Sequence, residues 1–241
     1  MAENYRGVFT IYGRVTPVEK VDIKLDNELD KNAKEAFKKL RTNIVLNNDD
    51  TKVIAVTSSI PKEGKTNIAF NLARFMAKID KKVLFVDADL RKSIFIEQYG
   101  IMDKISGLGS YLTAQKDYKD IIYNTNIDNL NIIFSELSYD NSPELLDSSY
   151  FKRLIPTLKK EYDYIFIDTP SLGNVIDGAI IVKECDGVIL VIEENAVSRK
   201  LAYKVVEQLE MTGCKVLGIV LNKVRLFREE SPGDDYYLKT V

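Results

Sequence analysis

Six short runs of apolar, strongly β-branched residues, separated by stretches with helical spacing, restrict this chain to a small set of folds. The runs cover residues 53–56, 82–86, 131–134, 164–167, 188–192 and 215–221. Most are continuously apolar instead of alternating, which is the pattern of strands covered on both faces. Between them the period changes. Within 32–46, Ala33, Phe37, Leu40 and Ile44 recur at helical spacing, with Glu35, Lys38 and Arg41 on the other side. Within 65–79, Ile68, Leu72, Phe75, Met76 and Ile79 form one stripe, and 150–160 and 198–211 are further helical stretches. Strands alternating with helices imply parallel strands joined by right-handed crossovers. The predicted class is therefore α/β, a doubly wound, mostly parallel sheet with helices on both faces. In such sheets ligands bind beyond the carboxyl ends of the strands.

Composition narrows the chemistry. At 241 residues and 45% hydrophobic content the chain suits one large domain better than two. Lysine plus arginine number 34 against 36 acids, a net charge of -2, so no global basic field points to nucleic acid. No histidine is present, which removes Ser-His-Asp and Cys-His pairs, histidine zinc sites and histidine proton shuttles together. Any chemistry must run on carboxylates, lysine, backbone amides and a metal. Cys185 and Cys214 have no metal-ligand spacing and are expected to be small buried hydrophobes in a reducing compartment. The opening residues carry no apolar stretch, and no run approaches the ~20 residues of a membrane span, so a soluble, unexported protein is expected. Residues 1–27 are predicted to form a polar arm, 28–226 the domain, and 227–241 a flexible tail.

Three segments at strand ends carry candidate chemistry. Ser59-Ile60-Pro61-Lys62-Glu63-Gly64-Lys65-Thr66 lies between the first run and its helix. Phosphate binding needs inward backbone N–H groups, a helix N-terminus, a lysine for the β and γ oxygens and a hydroxyl for Mg²⁺. Gly64, Lys65 and Thr66 supply the end of that arrangement, while Ser59 replaces the first glycine of the usual G-x-x-x-x-G-K-T pattern. An ordinary βα turn is the alternative. Val86-Asp87-Ala88-Asp89-Leu90-Arg91 follows the second run, and its acids either cap the next helix or serve a metal and phosphate site. Ile165-Phe166-Ile167-Asp168-Thr169-Pro170 ends an apolar strand on an aspartate, as magnesium bound to a nucleotide requires. Asn222 is either an adenine contact or a buried amide satisfied by backbone. Glu35, Lys38 and Arg41 read as a solvated helix face on geometry alone. Tyr236 and Tyr237 form a pair in an acidic tail, which 13 tyrosines allow by chance.

The order P-loop, Asp-x-Asp-x-Arg, hydrophobic-Asp-x-Pro resembles that of the bacterial tyrosine kinases of capsule and exopolysaccharide production. Residues 35–44, the Asn141-Ser142-Pro143-Glu144-Leu145-Leu146 segment and 218–224 extend the likeness over about 34–224. The Min and Par partitioning ATPases share the fold, but carry an extra lysine where this chain has Ile60. A Min/Par-type switch without tyrosine kinase activity is the competing reading. The resemblance implies ATP and Mg²⁺ as ligands. It places Ser59, Pro61, Lys62, Glu63, Gly64, Lys65, Thr66, Asn67 and Asn222 on the nucleotide, and Thr66, Asp87, Asp89 and Asp168 at the metal. Lys65, Asp87, Asp89, Arg91 and Asp168 are the implied catalytic set, with Asp87 deprotonating tyrosine and Arg91 offsetting phosphate charge. It further implies autophosphorylation at Tyr236 and Tyr237, and a homo-oligomeric ring through a Glu-x-x-Arg-x-x-Arg pattern. That pattern here reads Glu35, Lys38, Arg41, and lysine keeps the charge but loses the planar fork. Two partners follow from the same resemblance: a membrane-embedded activator, or co-polymerase, docking through its cytoplasmic tail, and a tyrosine phosphatase. The kinase would then work in the cytoplasm, held at the inner face of the cell membrane by the activator.

Overall fold

The computed structural model describes residues 20–25, 29–47, 50–102, 105–136, 138–173 and 176–224. Of the predicted arm only 20–25 fall among them, and the tail with Tyr236 and Tyr237 lies outside. The elements in chain order are β1 (Lys20–Val21), α1 (Lys31–Asn47), β2 (Val53–Ser58), α2 (Lys65–Ala77), β3 (Val83–Asp87), α3 (Phe95–Gln98) and α4 (Leu108–Leu112). A 3-10 turn over Tyr118–Ile121 leads to β4 (Tyr123–Thr125), β5 (Leu130–Ile133), α5 (Ser142–Leu146), α6 (Ser149–Glu161) and β6 (Tyr164–Asp168). The remainder is α7 (Asp177–Val182), β7 (Gly187–Glu193), α8 (Arg199–Glu210) and β8 (Lys215–Asn222).

The eight strands of the described residues form one sheet in the order β1-β4-β5-β3-β6-β2-β7-β8. Every pairing is parallel except β4 with β5. The expected mostly parallel, doubly wound sheet is present. Period-two alternation sends its side chains to the two faces of the sheet. Phe85 and Phe166 face Phe70, Leu72 and Met76 of α2 on one side, and Leu84, Val86, Ile165 and Ile167 face Phe151, Leu154 and Leu158 of α6 on the other. Full burial of side chains this size stabilises by about 1.5–3 kcal/mol each before entropy is counted. Ser148 caps α6 by accepting from the Phe151 N–H, and Ser198 does the same for α8 with Leu201.

The arm is one correction. Val21 and Ile23 are buried in the same core as α2, and the Asn126 side chain bonds both the N–H and the carbonyl of Ile23. Two apolar residues either side of Asp22 make a strand-like face, and β1 uses it at the sheet edge. The cysteines are half-buried, with Cys214 Sγ 3.5 Å from the Cys185 carbonyl oxygen. Burial pushes the Cys214 thiol up to about 11 and Cys185 well above its ordinary value. No helix among the described residues is long and apolar enough to cross a membrane.

Candidate active site

Sheet order brings the three sequence motifs together. Because β6 lies between β3 and β2, their carboxyl ends are neighbours. Asp87 stands opposite Asp168 across the β3–β6 pair, and Asp168 stands opposite Val56 across β6–β2. The segment after β2 therefore begins beside both carboxylates.

That segment turns through Lys62 at φ 72° and Gly64 at φ 89° before entering α2. A side chain at Gly64 would suffer twice, from the left-handed backbone and from collision with Asn222 Nδ2. No side chain caps the first turn of α2, which leaves its N–H groups and the positive end of the helix dipole for an anion. Lys65 opens the helix. Its Nζ lies 3.5 Å from Asp89 Oδ2, 3.6 Å from Asp168 Oδ1 and 3.5 Å from Thr66 Oγ1. Lys65, Thr66, Asp87, Asp89 and Asp168 thus form one cluster, with the three aspartates and Thr66 all buried.

The electrostatics of the cluster are unbalanced. Burial pushes the Asp87 carboxyl up to about 8, with the neighbouring Asp168 charge adding to it and the Ser93 hydrogen bond opposing. Asp168 is also raised by burial, against the pull of Lys65 and Thr66. Burial disfavours the Lys65 ammonium, but Asp168 and Asp89 outweigh it and raise its proton affinity. One cation among three buried carboxylates leaves negative charge uncompensated. Among the described residues, Asp168 Oδ1 and Ser59 Oγ are buried without a hydrogen-bond partner.

Several predicted residues sit elsewhere in the machinery than expected. The Glu63 side chain turns inward, accepting from the Ile60 N–H at 2.8 Å and the Glu193 N–H at 3.0 Å. Being fully buried, with each carboxylate oxygen taken by a backbone donor, it braces the loop. Asn222 Nδ2 donates to the Glu63 carbonyl at 2.8 Å, which is the backbone-satisfied alternative, at least for its amide nitrogen. Arg91 is turned onto Asp177, a buried carboxylate that sequence reasoning passed over. Pro61, Lys62 and Asn67 are exposed around the loop. On α1, Lys38 pairs with Glu35 at 2.6 Å on an exposed face, and Arg41 Nη1 donates to the Phe75 carbonyl at 3.1 Å.

Sequence reasoning also missed Ser93, which donates to Asp87, and Lys223, which ties the Lys62 carbonyl to Glu193. Only Asp177 had a local signal, an acid opening a short helix. The loop after β6 completes the frame. Leu172 and Gly173 donate to the Ser58 and Ser59 carbonyls at 3.0 Å each, and a Cβ on Gly173 would collide with Ser59 O.

A family model described as an AAA domain matches residues 51–219. Tyrosine-protein kinase CpsD of Streptococcus agalactiae serotype III (strain NEM316) is 40% identical over 210 residues, covering 87% of this chain and 90% of the relative. Among solved structures, the chimerical protein CapA2B2 superposes with a TM-score of 0.77 at 31% identity, over 85% of this chain and 93% of that one. The septum site-determining protein MinD of Pyrococcus horikoshii OT3, solved with Mg-ADP, gives 0.62 at 27% identity, over 71% and 70%. Forty per cent identity over most of the length of a tyrosine-protein kinase, on a fold shared more distantly with a septum site-determining protein, shows that the chain belongs to the bacterial tyrosine-protein kinase family of P-loop ATPases.

Proposed function

We propose that the chain transfers the γ-phosphate of ATP to tyrosine, using Tyr236 and Tyr237 of a neighbouring copy as its acceptors, and that this transfer regulates capsular or exopolysaccharide synthesis and export. The observation that carries the reading is the single cluster of Lys65, Thr66, Asp87, Asp89 and Asp168 at adjoining strand tips beside an uncapped helix N-terminus.

The residues fit a magnesium nucleotide. Negative charge exceeds positive in the cluster, and Asp168 Oδ1 has no hydrogen-bond partner and only a long, 3.6 Å ion pair with Lys65, as expected of a site that a hard cation would complete. Thr66, Asp89 and Asp168 would hold it. Among the described residues no group of three or more His, Cys, Asp or Glu side chains is placed to hold a metal by itself. Magnesium does not need such a cage, since phosphate oxygens and water commonly supply most of its shell. When bound, it neutralises charge on the β and γ phosphates.

The chain's own contribution is positioning and charge. Lys65 and the first N–H groups of α2 would grip the terminal phosphates. Asp87 would orient the incoming tyrosine hydroxyl and accept its proton as the oxygen–phosphorus bond forms and the bond to the β-phosphate oxygen breaks, releasing ADP. A phenol of pKa ~10 yields its proton more readily to a carboxylate of raised basicity.

Assembly belongs to the same proposal. A ring through α1 would present each tail to a neighbouring site, and Glu35 and Lys38 lie exposed there. Phosphorylation adds about -1.5 to -2 charges per tyrosine next to Asp234 and Asp235, and the repulsion favours release. A membrane-embedded activator acting through its cytoplasmic tail and an opposing tyrosine phosphatase complete the cycle. Phosphopeptide mass spectrometry of the purified chain after Mg·ATP, with and without an activator segment, tests the reading. Phosphate is expected on Tyr236 or Tyr237, and a Tyr236→Phe/Tyr237→Phe variant should lose most of the phosphotyrosine. ATP hydrolysis without phosphotyrosine in either condition would favour a partitioning-type switch.

A further inference from the structure

We propose that Arg91 and Asp177 form a latch that keeps the two carboxylate-bearing loops of the site in register, which makes Arg91 a positioning residue and not a phosphate ligand. The proposal deepens the kinase reading and rests on it. Arg91 Nε donates to Asp177 Oδ2 at 3.0 Å and Nη2 donates to Oδ1 at 3.2 Å. This is the two-pronged geometry of a guanidinium on a carboxylate, which lysine cannot reproduce. Asp177 is fully buried, and the Ser142 hydroxyl donates to it as well. A charge withdrawn from water persists only where it is paired and hydrogen-bonded, so the carboxylate holds the arginine as firmly as the arginine holds it.

Backbone contacts carry this pair to the reacting cluster. The Asp89 carboxylate accepts from the N–H of Arg91 at 3.3 Å and of Lys92 at 3.0 Å, so displacing Arg91 moves the donors that aim Asp89. The Arg91 carbonyl is itself fixed by Ser138 Oγ at 2.7 Å. On the other side, Gly178 follows Asp177 and packs so closely that a Cβ there would stand 2.8 Å from the Pro170 carbonyl oxygen, just beyond Asp168. One ion pair therefore joins the loop behind Asp87 and Asp89 to the loop behind Asp168, and Ser142 ties both to α5. That contact gives the Ser142-Pro143-Glu144 segment a place in the site that its sequence alone does not explain. Phosphoryl transfer depends on placement, and a misplacement of about 1 Å costs on the order of 100-fold.

Steady-state kinetics of ATP hydrolysis and of transfer to tyrosine decide the matter. For Arg91→Ala, Arg91→Lys and Asp177→Asn the latch predicts kcat lowered roughly 10- to 100-fold, with KM for ATP changed less than about threefold. The Arg91→Ala/Asp177→Asn double variant should be no slower than its slower parent. Ser142→Ala removes only the third bond to Asp177, so it should fold normally and lower kcat by a smaller factor. The latch is overturned if Arg91→Lys or Ser142→Ala keeps wild-type kcat, or if the two parental losses multiply in the double variant. It is equally overturned if Arg91→Ala weakens KM for ATP about tenfold or more while Asp177→Asn changes nothing. Should Asp177→Asn fail to fold, Arg91→Lys and Ser142→Ala still decide. A wild-type chain that hydrolyses ATP but never labels tyrosine sinks the kinase reading, while the latch stays testable through hydrolysis.

Discussion

Replacing Lys65 by methionine is expected to abolish phosphotyrosine formation, a loss on the order of 1000-fold or more in kcat/KM for ATP. The lysine is largely buried and keeps its charge because Asp168 and Asp89 outweigh the cost of its desolvation. Methionine preserves most of the length and apolar stem but none of the charge that would face the terminal phosphates. The same change leaves Asp89 and Asp168 without their counter-ion. The nucleotide-free protein should therefore lose stability on the order of 1–3 kcal/mol, less than for a tightly bonded buried pair because the contacts are long. Activity measured well below the melting temperature separates this loss from the catalytic one.

Asp87→Asn is expected to be equally inactive while changing stability in the opposite direction. Transfer should fall on the order of 100-fold or more, as the group that accepts the tyrosine proton is gone. The folded-state carboxyl lies at about 8, above its ordinary value of 3.8. Across that window the folded state binds more protons than the unfolded state, so stability falls as pH rises from near 4 towards 8. Asparagine removes this penalty. Nucleotide-free Asp87→Asn should melt about 5 °C or more above the parent at pH 8, with the gap closing towards pH 4. Differential scanning fluorimetry across that range checks the sign directly. A variant that melts below the parent at pH 8 would show that Asp87 is not strained by burial. The pair of substitutions thus separates two causes: an excess of buried negative charge grows when Lys65 is removed and shrinks when Asp87 is.

Much of this arrangement is legible in the sequence, and the exceptions have identifiable causes. Strands such as β2, β3, β6 and β7 announce themselves because they are buried on both faces and so carry continuous apolar runs. Their order in the sheet follows less directly. It is that order which places Asp87 opposite Asp168. β4 spans only Tyr123–Thr125 and β1 only Lys20–Val21, too few residues for any period to be read. β1 moreover depends on a pairing partner about a hundred residues away.

Among the site residues, Lys65, Asp87, Asp89 and Asp168 are visible because a phosphate loop and strand-terminal acids have fixed local contexts. Glu63, Arg91 and Asn222 are visible as residues but not as roles. Each is committed to a partner far away in sequence: Glu63 to the Glu193 amide, Arg91 to Asp177 and Asn222 to the Glu63 carbonyl. A motif records which side chains occur together, whereas burial decides which of them must satisfy one another first. Asp177 shows the point most clearly. In the sequence it resembles any acid at a helix start, yet it is fully buried and joins two loops of the site.

The central claim is that one nucleotide, with its magnesium, occupies the space ringed by Lys65, Thr66, Asp87, Asp89 and Asp168. A crystal structure with a non-hydrolysable ATP analogue and Mg²⁺ tests it most directly. The account predicts the terminal phosphates on Lys65 and the first-turn amides of α2, with the metal on Thr66 and reached by Asp89 and Asp168. Nucleotide bound on another face of the sheet, or a metal that leaves all three aspartates untouched, would contradict it.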